Sequence, residues 1–161
     1  MVVEAQNKVF DFIDSNIRES GYALINIKSK SEDNPVFTYT VGLSQKGLPE
    51  LVFVRRSTQM VQHIVTDLIA MQAAGWSFTE SGQKVNGILD HELCLINAQE
   101  AVQKDIMKIA SDYKQHRNDE INLSNTCIVC WPDLNGSFPN DEGYDKSIKS
   151  NVIPFSSSAS H

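Results

Sequence analysis

An α+β fold is expected of this chain: one domain over about residues 1–150, with a mixed, mostly antiparallel sheet of about five or six strands and three helices packed mostly on one face. The length of 161 residues suits one domain. Short β-rich segments bounded by Gly, Pro, Asn and Ser alternate with stretches of helical periodicity, which separates this chain from an all-helical or all-strand one. A hydrophobic fraction of 41% beside 21% charged residues is that of a globular chain with a core.

Val9, Phe10, Phe12, Ile13 and Ile17 recur at helical spacing and Gly21 supplies a stop, so a first helix is expected at about 4–19. Tyr22 to Lys28 is β-rich, Ser29 to Asn34 is turn-like, and Val36 to Val41 restarts as a second strand after Pro35. Gly42 to Pro49 is a connection, and Glu50-Leu-Val-Phe-Val54 has the continuous apolar run of a buried strand. Ser57 or Thr58 can cap the next helix, whose apolar face from Met60 to Met71 ends at Gly75. Between Trp76 and Ile96, Gly82 and Gly87 punctuate alternating residues, which predicts short strands joined by a turn. Asn97 followed by Glu100 is shaped like a capping box for a third helix at about 98–114. Thr126 to Trp131 is a last apolar strand, the chain after Pro132 is turn-rich, and residues 151–161 are expected to fray.

Fourteen Lys and Arg against 20 Asp and Glu give a net charge of -6, which repels a phosphate backbone and argues against a nucleic-acid partner. No apolar run reaches the roughly 18–20 residues of a membrane span, and Met1 leads into polar residues rather than a signal-peptide core. Three cysteines, an odd number, suit a reducing, cytoplasmic setting. Neither the Walker pattern nor the dinucleotide fingerprint is present, and no cofactor is expected.

Two segments carry a resemblance. Phe37-Thr-Tyr-Thr-Val-Gly-Leu43 with Gly47-Leu-Pro-Glu-Leu-Val52, and Trp131-Pro-Asp133 with Gly136-Ser-Phe-Pro139 and Gly143-Tyr144, resemble in order and separation the opening and closing patterns of the bacterial family known as domain of unknown function 4262. The chain departs from that pattern at Asn140, where the family often has an aromatic residue, and at Gly47-Leu48, where it is commonly histidine-rich. The resemblance implies a small α/β or α+β domain whose chemistry is not established.

The candidate site residues follow from these segments. Gly42 and Pro49 shape a strand connection; alternatively, Tyr39, Thr40 and Glu50 converge at a pocket mouth, with Glu50 the most chemically able. Trp131, Asp133 and Asn135-Gly136 form a turn, and Trp131, Phe138 and Tyr144 offer aromatic contact area rimmed by Asp133, Asp141, Glu142 and Asp145. Asp133 to Asp145 does not reproduce the EF-hand ligand order. His91, Cys94, Cys127 and Cys130 are chemically able to hold zinc, yet Cys127 and Cys130 fall three apart in a strand and so on opposite faces; inert buried thiols are the expectation and no metal is assigned. Arg55-Arg56, before a helix N-terminus, is placed to hold one anion or to lie as a solvated turn.

Two functions compete on these residues. The first is a non-enzymatic protein-binding module, for example an immunity or inhibitor protein whose acidic, aromatic surface covers a basic toxin or enzyme. The second is a small hydrolase or other small-molecule enzyme with a pocket around Tyr39, Glu50 and Asp133. Oligomeric state is left open.

Overall fold

The computed structural model describes residues 2–28 and 35–145. The expected turn at Ser29–Asn34 and the expected fraying of 151–161 lie outside the described residues. Along the chain run α1 (Val2–Ser20), β1 (Ala23–Ile27), β2 (Phe37–Val41), a 3₁₀ turn (Leu43–Lys46), β3 (Leu51–Val54), α2 (Thr58–Ala73), β4 (Gln83–Val85), β5 (Leu93–Asn97), α3 (Glu100–Ile106), α4 (Lys108–His116) and β6 (Cys127–Cys130). The six strands form one mixed sheet in the order β1-β2-β3-β6-β5-β4. Every pairing is antiparallel except the central one, where β6 lies parallel to β3 with Leu51 opposite Cys127. The α+β class and the mixed six-stranded sheet are as expected.

Most of the helices, α1, α3 and α4, pack on one face of the sheet, as expected, and α2 covers the other. Side chains alternate along a strand, so Leu51 and Phe53 of β3 face one way and Val52 and Val54 the other. The first pair packs with Val61, Ile64, Val65 and Leu68 of α2, together with Leu93, Leu95, Cys127 and Val129. The second pair packs with Phe10 and Ile13 of α1, Ile106 of α3, Ala110 and Tyr113 of α4, and Met107 between those two helices. On that same face, farther along the sheet, Phe138 from the C-terminal loop covers Cys94 and Cys130.

The expected third helix is interrupted at Met107, whose φ of -97° and ψ of 36° leave the helical range. Ile106, Met107, Ala110 and Tyr113, on either side of and at this break, are all buried. Asn97 does not cap this helix, because it remains in β5 opposite Cys127 and its Oδ1 accepts from the Cys127 thiol at 3.3 Å. Gln99 takes the cap position without a side-chain bond. At α2 the expectation holds, with Ser57 accepting from the Met60 N–H at 3.2 Å.

Candidate functional site

The two segments singled out in the sequence lie at opposite ends of the sheet. Glu50 stands just before β3, where its carbonyl accepts from the Cys127 N–H at the start of β6. Because β3 and β6 run the same way, β6 carries the chain to the far end, at about 3.3 Å per residue, before Asp133 is reached. Glu50 and Asp133 therefore line no common pocket, and the expected pocket of Tyr39, Glu50 and Asp133 is not assembled. Tyr39 is fully buried on the face covered by α1, α3 and α4. Burial pushes its ionisation well above the usual tyrosine value, and its hydroxyl lies toward the backbone of Ile109 and Ala110 without a well-shaped hydrogen bond.

At the near end Glu50 is fully buried and its carboxylate is saturated. Oε1 accepts from Thr40 Oγ1 at 2.7 Å and the Leu43 N–H at 3.2 Å. Oε2 accepts from the Gly42 N–H at 2.9 Å, the Ser44 N–H at 3.0 Å and Ser44 Oγ at 2.7 Å. The first amides of the 3₁₀ turn thus close on an acid, as helix N-termini favour. Gly42 makes the turn possible: its φ is 123°, and an added Cβ would meet the Gly21 carbonyl oxygen at 2.8 Å. Burial raises the Glu50 ionisation above the ordinary glutamate range, while bonds from Ser44, Thr40 and Gly42 pull the other way. A cleft of about 220 Å³ opens beside this clamp between Ser44, Gly47, Leu48, Phe78, Asn122 and Asn125, and Glu50 does not reach its wall.

At the far end Asp133 organises the loop that follows β6. Its Oδ1 accepts from the Asn135 N–H at 2.9 Å and the Ser137 N–H at 2.8 Å, and Oδ2 from the Asp145 N–H at 2.9 Å. These backbone donors, that of Ser137 foremost, hold its carboxyl below the usual aspartate range. Asp141 closes the next turn by accepting from the Phe138 N–H at 3.0 Å. Phe138 is buried against Cys94 and Cys130 and gives no exposed aromatic surface, which corrects its expected place in a contact patch. Trp131 and Tyr144 are half-buried, and the Trp131 ring carries the Arg56 guanidinium at 3.7 Å. The side chain that the loop does present is Leu134, 100% exposed at the tip of the Asp133 turn. Glu142 and Asp145 are exposed on the same loop, and Glu92 and Asp141 both lie near Cys94.

The cysteines are separated by the sheet. Cys127 packs with the α2 side, and Cys94 and Cys130 lie beneath Phe138 on the other. Burial pushes the Cys94 thiol up to about 11 and those of Cys127 and Cys130 up to about 12, so all three are protonated and unreactive at neutral pH. His91 bonds the adjacent Glu92 carbonyl at 3.0 Å, and the described residues contain no group of three or more metal-capable side chains.

The model of the family described as Domain of unknown function (DUF4262) matches residues 16–145. The chain belongs to that family. No curated protein and no solved structure matches it. In this DUF4262 domain the two recognised segments have distinct architectural tasks: the first builds the Glu50 clamp, and the second builds the Asp133 loop and the Trp131 platform beneath Arg56. Sequence reasoning missed Leu134, although an apolar residue between Asp133 and Asn135-Gly136 was a visible anomaly in a polar turn. It also missed the Arg56–Trp131 stack, which joins residues far apart in the chain and leaves no local signal.

Proposed function

We propose that this DUF4262 protein is a non-enzymatic protein-binding module, of the immunity or inhibitor kind, that engages a basic partner through the loop running from Trp131 to Asp145. The observation that carries this reading is Leu134: a leucine 100% exposed at the tip of a turn locked by three backbone bonds to Asp133. An apolar side chain on a backbone already ordered before binding saves the cost of ordering that backbone on association. Glu142 and Asp145 on the loop supply negative charge that steers a basic surface toward it, in keeping with the net charge of -6. Among the described residues no helix is long and apolar enough to cross a membrane, and three buried free thiols suit the reducing cytoplasm.

The test uses the tagged protein to capture partners from its own cell lysate at low and high salt, beside Leu134→Ser and Glu142→Lys variants, followed by rebinding of the purified pair. A stoichiometric basic protein retained by the wild type and lost from both variants and at high salt is the expected result. Retention that neither substitution changes removes the loop from the interface, and no protein retained at either salt overturns the reading. Asp133 and Asp141 are unsuitable probes of charge alone, since each carboxylate also holds loop backbone.

A further inference from the structure

The parallel strands β3 and β6 end together, and the residues that follow them meet. After β3 the chain reverses at Arg55, whose φ of 52° lies in the left-handed region, a strained conformation for a residue with a side chain. Arg56 then lies across the Trp131 ring that follows β6, its guanidinium carbon 3.7 Å from the ring centroid. An arginine is protonated at every accessible pH, so this is a fixed charge. It is half-buried, and its Nε is enclosed with no hydrogen-bond acceptor among the described residues. Its electrostatic neighbours are the Cys130 thiol, neutral because burial pushes it up to about 12, and the Tyr144 phenol. The ion pairs formed between described residues lie elsewhere: His63 with Asp67, Lys104 with Glu100, Lys108 with Asp112, and Arg117 with Asp11 and Asp14.

A partly desolvated guanidinium with no counter-charge among the described residues is unfavourable, and an indole face offsets only part of that cost. Plain packing at this position would be served by an uncharged side chain of the same length. What arginine adds is a planar fork of donors. With Nε enclosed, the two terminal nitrogens are the edge left to bond, and their spacing matches two oxygens of one carboxylate or phosphoryl group. Trp131 fixes the plane of that fork in advance.

We propose that Arg56, seated on Trp131, is a receptor for an oxyanion, gripped end-on by its two terminal guanidinium nitrogens. The site lies at the start of the loop that carries Leu134, needs no partner protein, and takes a carboxylate or a phosphoryl group by the same chemistry. Its test is a titration of the ¹⁵N-labelled protein with sodium phosphate and, separately, sodium acetate, at ionic strength matched with potassium chloride. The indole N–H resonance of Trp131 is the reporter and that of Trp76, the other tryptophan, the internal control. A saturable shift of Trp131 but not Trp76 is expected. A response to phosphate alone assigns a phosphoryl group, and a response to acetate, alone or with phosphate, assigns a carboxylate-sized anion. Arg56→Gln, folded by circular dichroism, should weaken the response by about tenfold or more, and Arg56→Lys, which keeps charge but not the fork, by less. No saturable shift with either anion, or unchanged binding in Arg56→Gln, overturns the proposal.

Discussion

Glu50 illustrates how a residue that reads as chemistry becomes architecture. Thr40 Oγ1 accepts from the Leu51 N–H at 2.9 Å, and Ser44 Oγ accepts from the Asn122 N–H at 2.9 Å. Each hydroxyl is thereby oriented to give its own proton to Glu50, so the clamp is built for a carboxylate and not for a carboxylic acid. A general base needs a free lone pair facing substrate, and this one has none to offer. Replacing Glu50 by Gln puts an N–H₂ against backbone donors whichever way the amide is turned. The expected loss is about 2–4 kcal/mol of unfolding free energy by urea denaturation, the range for breaking a buried charged hydrogen-bond set. A loss below about 1 kcal/mol would mean that the donors find other partners. The sequence carried a partial signal here: a single acid entering the run Leu51-Val-Phe-Val54 has to be buried, and a buried acid has to be satisfied. What it could not carry was the number of donors, which depends on the Gly42 backbone folding back over Gly21.

Among the elements, those set by local pattern were legible and those set by tertiary demand were not. The first three strands and α2 with its Ser57 cap follow from alternation, periodicity and turn residues. The break at Met107 and the failure of Asn97 to cap follow from what lies across the sheet, which spacing within one segment does not encode. The two-sided covering was half legible, since a strand apolar at every position requires burial on both faces. The loop after β6 is an element in its own right, held by one carboxylate, and pH tests it. The folded Asp133 pKa lies below the ordinary aspartate value, so its contribution is present above that value and is lost as pH falls through the depressed folded one. Amide exchange at Asn135, Ser137 and Asp145 should therefore lose protection over that acidic window while the α2 amides keep theirs. In Asp133→Asn the three amides should be weakly protected at every pH. Protection that survives acid unchanged would assign the loop's order to some other contact.

For the whole molecule, the decisive fact is that one strand feeds two cores. β3 gives Leu51 and Phe53 to the α2 side and Val52 and Val54 to the other, so neither core closes without the strand that completes its neighbour. Leu51→Ala and Val52→Ala, on opposite faces, should each destabilise the domain by about 1–4 kcal/mol, the leucine more. In both variants fluorescence and far-ultraviolet circular dichroism should report one coincident transition. Separate midpoints would show the faces melting independently. The parallel pairing of β3 with β6 has a consequence for synthesis as well as for stability. Leu51 meets Cys127 across 76 positions of chain (127 − 51), which a ribosome adds in roughly 4–15 s. During that interval the nascent β1-β2-β3 meander carries an apolar strand with one unpaired edge, the kind of surface on which other chains nucleate aggregates. α2, emerging directly after β3, can cover a face of that strand but not its edge. Production of this domain is thus exposed to translation speed between β3 and β6: a pause there prolongs the sticky state, and rapid delivery of β6 ends it.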